Sequence, residues 1–428
     1  MPQPITRTLL ANGLLVLLKE IHTAPLTSFW LWYRVGSRDE PTGRTGISHW
    51  VEHMQFKGTP RFPAGSLDKA ISRDGGFWNA MTFLDWTTYY ETMPADKIDL
   101  ALRLEADRMT HCTYEAKEVE SERTVIISER EGNENEPLFR LGEAIQNAAF
   151  RVHPYHHEVI GDMADLRTIR RDDLYQHYRT YYAPNNAVIA VAGDFESGQM
   201  LERLRELFEP IPPVEPPPRL YRPEPPPAGE HRLSLEGPGE TTYLQICYRA
   251  PAANDPAFFP LTVLDSLLTG PTSLNMFGGG GISNKTSRLY QALVERDLAV
   301  AVGGGLFVTA DPFLYTITIT VHPQRKAEEA LAAFDDQIRR LQEEPVPEEE
   351  VRRAIKQARA LFAYGSENVT NQAYWLGQAE MFATYDWFLN YLKRLGQVTP
   401  AGIEEAARRL LRPQNRVVGV YLPSGGAR

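Results

Sequence analysis

Alternating apolar and polar residues predict several short β-strands along this chain. The stretches 28–34 and 243–249 match each other, and both are typical of alternating strands. Longer segments with apolar residues every three or four positions, such as 97–109 and 326–342, predict amphipathic helices. Hairpin signals such as the Asn-Gly pair at 12–13 separate strands, while helices are grouped between them, so the pattern predicts an α+β fold.

A proline-rich segment divides the chain into two halves of similar length. Prolines recur through residues 209–229 at a density that neither a helix nor a central strand tolerates, which predicts a stiff extended linker. A chain of 428 residues also exceeds the usual size of one hydrophobic core. We therefore expect an N-terminal domain over 1–208 and a C-terminal domain over 230–428.

The two halves contain a repeated sequence pattern, which indicates that they are homologous. Residues 166–192 align without gaps on residues 395–421. Each copy predicts a capped helix, a turn that begins with proline and contains asparagine, and an apolar strand. We therefore predict two homologous α/β sandwich domains, each with a mainly antiparallel sheet that helices cover.

The segment that carries the clearest chemistry is His49-Trp50-Val51-Glu52-His53. Two histidines four residues apart on a helix lie about one turn apart on the same face, where both can bind one metal ion. Glu52 immediately precedes the second histidine, where a carboxylate can reach a water molecule at the metal. This H-x-x-E-H pattern is typical of zinc hydrolases.

The repeat provides an internal control for this motif. When the strand alignment is carried forward, His49, Glu52 and His53 align with three leucines of the second half. These are Leu264, Leu267 and Leu268. The second half is predicted to use these positions for ordinary apolar core. Because the fold does not require polar residues there, we interpret the residues of the first half as a metal site.

A catalytic zinc site usually has three protein ligands, so one more ligand has to come from another element. Residues 115–131 are rich in glutamate and predict a helix with apolar residues available for burial. Glu122 and Glu129 are seven residues apart and share one face of this helix. The segment contains other glutamates as well, and spacing alone does not choose among them.

Composition narrows the classes of function. The net charge of −10 and the pI near 5.6 argue against nucleic-acid binding and mildly favour basic peptides as partners. Cys112 and Cys247 are too few for a disulfide framework or a cysteine zinc site. Neither a signal pattern nor a run of 18 apolar residues is present, so we expect no membrane association and a cytoplasmic location. A periplasmic location stays open if a signal was removed.

Several motifs, in this order, resemble those of the M16 metallopeptidases: residues 46–59, 75–82, 89–90, 122–129 and 153–155. That family includes pitrilysin, insulysin and the mitochondrial processing peptidase. The length and the two halves are similar to its short branch, which works as a dimer. The resemblance implies an endopeptidase that holds one Zn²⁺ per chain and cleaves unstructured peptides in a chamber.

The resemblance also implies roles for individual residues. It implies that Glu129 joins His49 and His53 as the third zinc ligand. It implies that Glu122 orients a ligand histidine from the outer shell. Glu52 is then the general base that accepts a proton from the zinc-activated water and passes it to the leaving amine.

By the same resemblance, residues 77–83 form a sheet edge to which a peptide substrate adds as an extra strand. Phe77, Asn79 and Ala80 lie at this contact. Edge pairing recognises mainly the peptide backbone, so we expect loose selectivity. From the sequence alone, Asn79 is equally well interpreted as a turn or strand-end residue.

The chain departs from the family pattern in its second half. Members with a complete site usually carry an Arg and a Tyr, seven residues apart, that help to hold the substrate. Alignment places Leu293 and Val300 at these positions, while Arg288 and Tyr290 are only two residues apart. The resemblance therefore implies a heterodimer, in which a homologous zinc-less partner supplies the pair. A homodimer that holds substrate through other residues is the alternative.

Three further interpretations are less favoured by the sequence. The chain could be a non-catalytic structural subunit, as some relatives in respiratory complexes are, although those relatives tend to lose the zinc ligands. The glycine run at 278–281 lacks the residues of a phosphate-binding loop and predicts a flexible loop. A second metal cluster is conceivable, but the Pro-Tyr pair within it favours a loop; its members are His153, His156, His157 and Glu158.

Overall fold

The computed structural model describes residues 5–217, 219, 222–276 and 281–425. Of the glycine run at 278–281, only Gly281 lies within these residues, and positions 218, 220 and 221 of the predicted linker lie outside them. No helix within the described ranges combines the length and the apolar character that crossing a membrane requires.

The strands are β1 (Thr6–Leu9), β2 (Leu15–Glu20), β3 (Leu26–Tyr33), β4 (Phe77–Thr82), β5 (Thr87–Pro94), β6 (Ala187–Gly193), β7 (His231–Gly237), β8 (Tyr243–Arg249), β9 (Ala299–Leu306), β10 (Leu314–Val321) and β11 (Arg416–Pro423). The helices are α1 (Ile47–Met54), α2 (Ser66–Arg73), α3 (Asp99–His111), α4 (Ala116–Glu134), α5 (Pro137–Ala149), α6 (Met163–Leu166), α7 (Arg171–Tyr181), α8 (Ser197–Phe208), α9 (Phe258–Leu268), α10 (Ala327–Glu343), α11 (Glu348–Tyr364), α12 (Val369–Phe382), α13 (Tyr385–Leu395) and α14 (Pro400–Leu410). The predicted α+β fold with two sheet-and-helix domains is confirmed.

The chain forms two compact units, each assembled from separate stretches of sequence. Unit 1 contains Met1–Arg130, His157–Arg222 and Glu367–Tyr385, and unit 2 contains Glu131–His156, Pro223–Ser366 and Asp386–Arg428. The contiguous domains predicted over 1–208 and 230–428 therefore need correction at two segments. Helix α5 belongs to unit 2 because it packs on β11, and α12 belongs to unit 1 because it packs on β3 and β6.

The sheet of unit 1 has six strands in the order β1-β2-β6-β3-β5-β4. Strands β2 and β6 are parallel, and the other neighbouring strands are antiparallel. Strand β6 is buried along its whole length, and β3 is buried at every residue after Leu26, so these central strands are covered on both faces. Strand β4 lies at the edge of the sheet, where β5 is its one partner among the described strands.

Helix α12 covers the sheet of unit 1 at very close range. Every residue from Ala373 to Phe382 is buried, which is typical of a helix that has packing partners on all sides. Gly377 makes this approach possible, since a Cβ atom at this position would lie 2.0 Å from Nε1 of Trp32. Tyr374 of the same helix packs against Trp30 and Trp32, with ring centroids 5.5 and 5.6 Å apart.

The sheet of unit 2 has five strands in the order β7-β11-β8-β10-β9. Strands β7 and β11 are parallel, and the other neighbouring strands are antiparallel. The repeated sequence pattern forms α7 and β6 in unit 1 and α14 and β11 in unit 2, as predicted. Leu264, Leu267 and Leu268 lie on α9 and are buried, so the second half does use these positions for apolar core.

The close packing of α12 leads to a prediction about stability. We expect Gly377→Ala to lower the free energy of unfolding by about 1–3 kcal/mol, because the new methyl group has no space beside Trp32. Gly198 in α8 is the matched control, since a Cβ there would contact nothing within 4 Å. We expect Gly198→Ala to be neutral or stabilising by up to about 1 kcal/mol. Urea unfolding followed by tryptophan fluorescence measures both, and equal effects would contradict the packing argument.

Candidate metal centre

Helix α1 places the two histidines of the H-x-x-E-H motif side by side. The helix has eight residues, and the rings of His49 and His53 are in edge-to-face contact with centroids 4.6 Å apart. Trp50, Val51 and Met54 are buried and fix the rotation of the helix. The two imidazoles therefore share one face, as the spacing predicts.

The N-terminus of α1 is held by a buried carboxylate that sequence reasoning missed. Glu40 Oε2 accepts a hydrogen bond from the main-chain N–H of Gly46, and Glu40 Oε1 accepts one from the N–H of Ser48, both at 2.8 Å. His157 Nε2 lies 2.8 Å from the same Oε2 atom. Glu40 lies six residues before the N-cap Gly46, a spacing that matches no local capping pattern.

The stretch around His157 does not form the second metal cluster considered above. His157 pairs with Glu40, whereas His153 Nε2 lies 3.2 Å from Asp311 Oδ2. Residues Pro154–His156 form a 3₁₀ turn. The described residues therefore support the loop interpretation. His153 and His157 contact different carboxylates and do not converge on one point.

Helix α4 brings Glu129 to the two histidines. Glu129 Oε2 lies 3.9 Å from His49 Nε2 and 3.8 Å from His53 Nε2. Donor atoms around a tetrahedral zinc ion, each about 2.1 Å from the metal, are about 3.4 Å apart. The two distances to Glu129 are about half an ångström longer than this, all three donor atoms lie within 4.8 Å of one another, and the nitrogen and carboxylate donor set suits this metal.

Glu122, on the same helix, contacts the other ring nitrogen of His53. Its Oε1 atom lies 2.8 Å from His53 Nδ1, and its second oxygen forms an ion pair with Lys57. Burial raises the pKa of Glu122, but the hydrogen bonds and charges of His53 and Lys57 outweigh it, so the pKa lies below its ordinary value. An ionised Glu122 accepts the Nδ1–H and leaves the Nε2 lone pair of His53 facing Glu129.

Burial keeps His49 neutral. The loss of hydration lowers the pKa of His49 to about 3, and the nearby His53 acts in the same direction. A neutral imidazole is the form that binds a metal ion, so His49 does not need to lose a proton at neutral pH. Its Nδ1 atom is buried without a hydrogen-bond partner among the described residues, so packing alone orients this ring.

Glu52 is almost fully buried, with 7% of its surface exposed. The hydroxyl of Thr82, at the end of β4, donates a hydrogen bond of 2.7 Å to Glu52 Oε2. Burial raises the pKa of Glu52 to about 7, although Thr82 and His53 oppose the shift. A carboxylate with a pKa near neutrality can both accept and release a proton during a catalytic cycle.

Strand β4 contains the three residues that the family resemblance implies for substrate binding. Phe77 and Asn79 are exposed, Ala80 is partly exposed, and Asn79 Oδ1 accepts a hydrogen bond of 2.9 Å from the N–H of Ala80. Asn79 pairs with Tyr90 in the middle of the strand, so the turn interpretation of this residue is wrong. The strand has one free edge, which is the feature that strand addition requires.

Leu293 and Val300 stand where the resemblance would place the Arg–Tyr pair, and both side chains are apolar. Leu293 is buried within a π-helical turn over Tyr290–Val294, and Val300 lies on the edge strand β9 with 56% of its surface exposed. Arg288 is occupied elsewhere, since its Nε atom lies 2.9 Å from Glu350 Oε2. Arg288 is therefore already engaged in an ion pair within unit 2.

Two family models match this sequence. The model described as Insulinase (Peptidase family M16) matches residues 15–163, and the model described as Peptidase M16 inactive domain matches residues 168–358. The chain belongs to the M16 peptidase family. The inactive-domain match includes the positions where leucines replace the motif of the first half, in agreement with the buried residues of α9.

Relatives and solved structures agree with this assignment. An uncharacterized zinc protease of Mycobacterium leprae is 28% identical over 418 residues, which are 95% of this chain and 89% of that protein. Zinc protease PqqE of Helicobacter pylori is 32% identical over 240 residues, 55% of this chain and 54% of that protein. The crystal structure of a protease from Helicobacter pylori shares the fold with a TM-score of 0.91 at 24% identity, over 99% of this chain and 100% of that one.

The geometry of the candidate metal centre predicts how zinc binding depends on individual carboxylates. We expect Glu122→Gln to weaken zinc binding by about 10–100-fold, because the amide supports His53 less well than a carboxylate. Glu129→Gln replaces a charged ligand oxygen with a neutral amide oxygen, which binds zinc more weakly, so we expect a larger loss. Glu131→Gln, at an exposed position of the same helix, is the control and is expected to bind zinc normally. Competition with a chromophoric chelator measures the affinities, and wild-type affinity in Glu129→Gln would exclude it as a ligand.

Proposed function

We propose that this chain is the catalytic member of a two-chain M16 zinc endopeptidase that cleaves unstructured peptides. The observation that carries the proposal is the juxtaposition of His49, His53 and Glu129 beside the buried carboxylate of Glu52. A structural subunit would not require a carboxylate buried at that point. The relatives named as zinc proteases support the choice of metal.

In this proposal, three residues hold the metal ion and a fourth residue transfers the proton. Zinc held by His49, His53 and Glu129 would supply Lewis-acid activation of a water molecule and of the scissile carbonyl. Glu52 accepts the proton of the attacking water and later releases it to the leaving amine. Because Oε2 of Glu52 is bound to Thr82, Oε1 is the oxygen available for this proton.

Glu122 and Lys57 support this chemistry from behind His53. The hydrogen bond to Nδ1 fixes the tautomer and the orientation of the ring. The ion pair with Lys57 provides a counter-charge for Glu122, which is itself buried. We therefore assign Glu122 an indirect role through His53.

For substrate binding, we propose that an extended peptide pairs with the free edge of β4. Phe77, Asn79 and Ala80 would lie beside this peptide. Main-chain hydrogen bonds provide most of the recognition in such pairing, so sequence preference would be broad. The absence of clamping side chains at Leu293 and Val300 supports a homologous partner chain that supplies an Arg and a Tyr.

The proposed base can be tested by Glu52→Gln. We expect the variant to retain zinc and to lose about 10²–10⁴-fold in kcat/KM for an unstructured peptide, because the amide does not accept the proton. Glu202→Gln on α8 is the control at an exposed position and should behave as wild type. Zinc content and peptide cleavage are measured on the same samples. Full activity in Glu52→Gln would exclude Glu52 as the base.

The proposed partnership leads to a separate prediction. We expect this chain to cleave peptides faster when it is mixed with a homologous zinc-less chain from the same genome, and to co-elute with it in size-exclusion chromatography. If the chain alone is equally active, a homodimer replaces the heterodimer. If neither sample cleaves peptides and the chain binds no zinc, the structural-subunit interpretation gains support.

A further inference from the structure

Two side-chain contacts join the edge strand β4 to the helix that carries the metal ligands. Near the start of the strand, the ring of Trp78 stacks on Phe56, with centroids 4.4 Å apart. Phe56 lies two residues beyond the last residue of α1. At the end of the strand, the hydroxyl of Thr82 donates to Oε2 of Glu52 at 2.7 Å. Displacement of β4 therefore changes the surroundings of Glu52 and of the segment that follows α1.

The Thr82 hydroxyl is well placed to fix one oxygen of the general base. An ionised carboxylate only accepts hydrogen bonds, so Thr82 is the donor in this pair. Thr82 is 8% exposed, and the hydroxyl of Thr87 on the neighbouring strand lies 3.3 Å from it. Thr87 also donates to the carbonyl oxygen of Val35 at 2.9 Å. The main-chain N–H of Thr82 also forms a hydrogen bond with this carboxylate, so within the described part of the chain both hydrogen-bonding groups that orient Glu52 belong to Thr82.

The position of Thr82 depends in turn on an edge strand. Strand β4 is hydrogen-bonded to β5 on one side, and its other side faces no further strand of the sheet. A strand with one partner is less restrained than a central strand. A peptide that pairs along the free edge adds main-chain hydrogen bonds and restrains the strand from Phe77 to Thr82. That pairing requires a substrate segment of about 20 Å.

We propose that Thr82 is a positioning residue that couples peptide pairing on β4 to the orientation of Glu52. The substrates favoured by this coupling are extended peptides long enough to pair along Phe77–Thr82, and short peptides with the same cleavage site are turned over more slowly. The inference rests on the proposed role of Glu52 as the base. Binding energy from the paired segment, remote from the cleaved bond, is used to orient the base and raises kcat.

The test compares two peptides that share the residues around the cleaved bond, one of about five residues and one of about fifteen. The zinc-loaded proteins are wild type, Thr82→Val, Thr82→Ser and Thr88→Val, together with the proposed partner chain if activity requires it. Thr88 is the matched control, since its buried hydroxyl on β5 donates to the carbonyl of Leu31 at 3.1 Å and does not contact Glu52. The readouts are kcat and KM for each peptide and the zinc affinity of each protein.

For wild type, we expect kcat to be about tenfold higher for the long peptide. Thr82→Val should lower kcat for the long peptide by about 10–100-fold and remove the difference between the peptides, because Glu52 loses the hydrogen bond from the hydroxyl and is left with only the main-chain one. KM for the long peptide and zinc affinity should stay unchanged, because the strand edge and the metal ligands remain. Thr82→Ser keeps the hydroxyl and should behave as wild type, and so should Thr88→Val.

A length effect confined to KM, or a Thr82→Val protein that retains the wild-type difference in kcat, would overturn the coupling. If Thr82→Val does not fold, hydrogen exchange on zinc-loaded Glu52→Gln provides an independent test. The long peptide should then protect the amides of α1 as well as those of β4, and protection of β4 alone would overturn the proposal. Activity that survives in Glu52→Gln would instead refute the proposed function, so the two failures are distinguishable.

Discussion

The buried carboxylate of Glu40 is the constraint on which the metal centre depends. Helix α1 has only eight residues, a length at which an isolated helix is marginal in water. Its N-cap is a glycine that provides no side-chain hydrogen bond. Glu40 supplies the missing acceptors to the N–H groups of Gly46 and Ser48, and its negative charge lies at the positive end of the helix dipole. The positions of His49 and His53 thus depend on a residue that is not among the candidate ligands.

Two carboxylates next to the histidines have opposite environments and therefore different chemistry. Glu122 has cationic and hydrogen-bonding partners that keep it ionised, which suits a group that holds the proton on His53 Nδ1. Glu52 has one hydroxyl partner and little solvent, and its pKa is raised to about 7. The same site thereby contains one carboxylate with a lowered pKa and one with a raised pKa, and differences in burial and pairing create this contrast.

The histidine pair and the leucines of α9 were predictable from sequence because both follow from helical periodicity within one element. Glu129 was not, because several glutamates of α4 satisfy the same spacing, and only the family resemblance singled it out. Glu40 and Thr82 carried no local sequence signal. Glu40 binds a main-chain N–H group six residues further along the chain, and Thr82 binds the side chain of Glu52, 30 residues earlier. The predicted domain boundaries were wrong for α5 and α12 for a related reason. An apolar helix face predicts burial but does not specify which sheet buries it.

The packing of α12 against the sheet of unit 1 has a consequence for biosynthesis. This helix comes from residues 369–382, and it packs on strands made much earlier, as in the hydrogen bond of 2.9 Å between Thr92 and Thr370, which are 278 residues apart. Translation proceeds from the N-terminus, so the strands around the metal ligands remain without their cover until most of the chain has been made. Contacts over such sequence distances also slow folding. A nascent or truncated chain therefore lacks a completed unit 1, so the helix that carries His49 and His53 reaches its final surroundings only when synthesis is nearly finished.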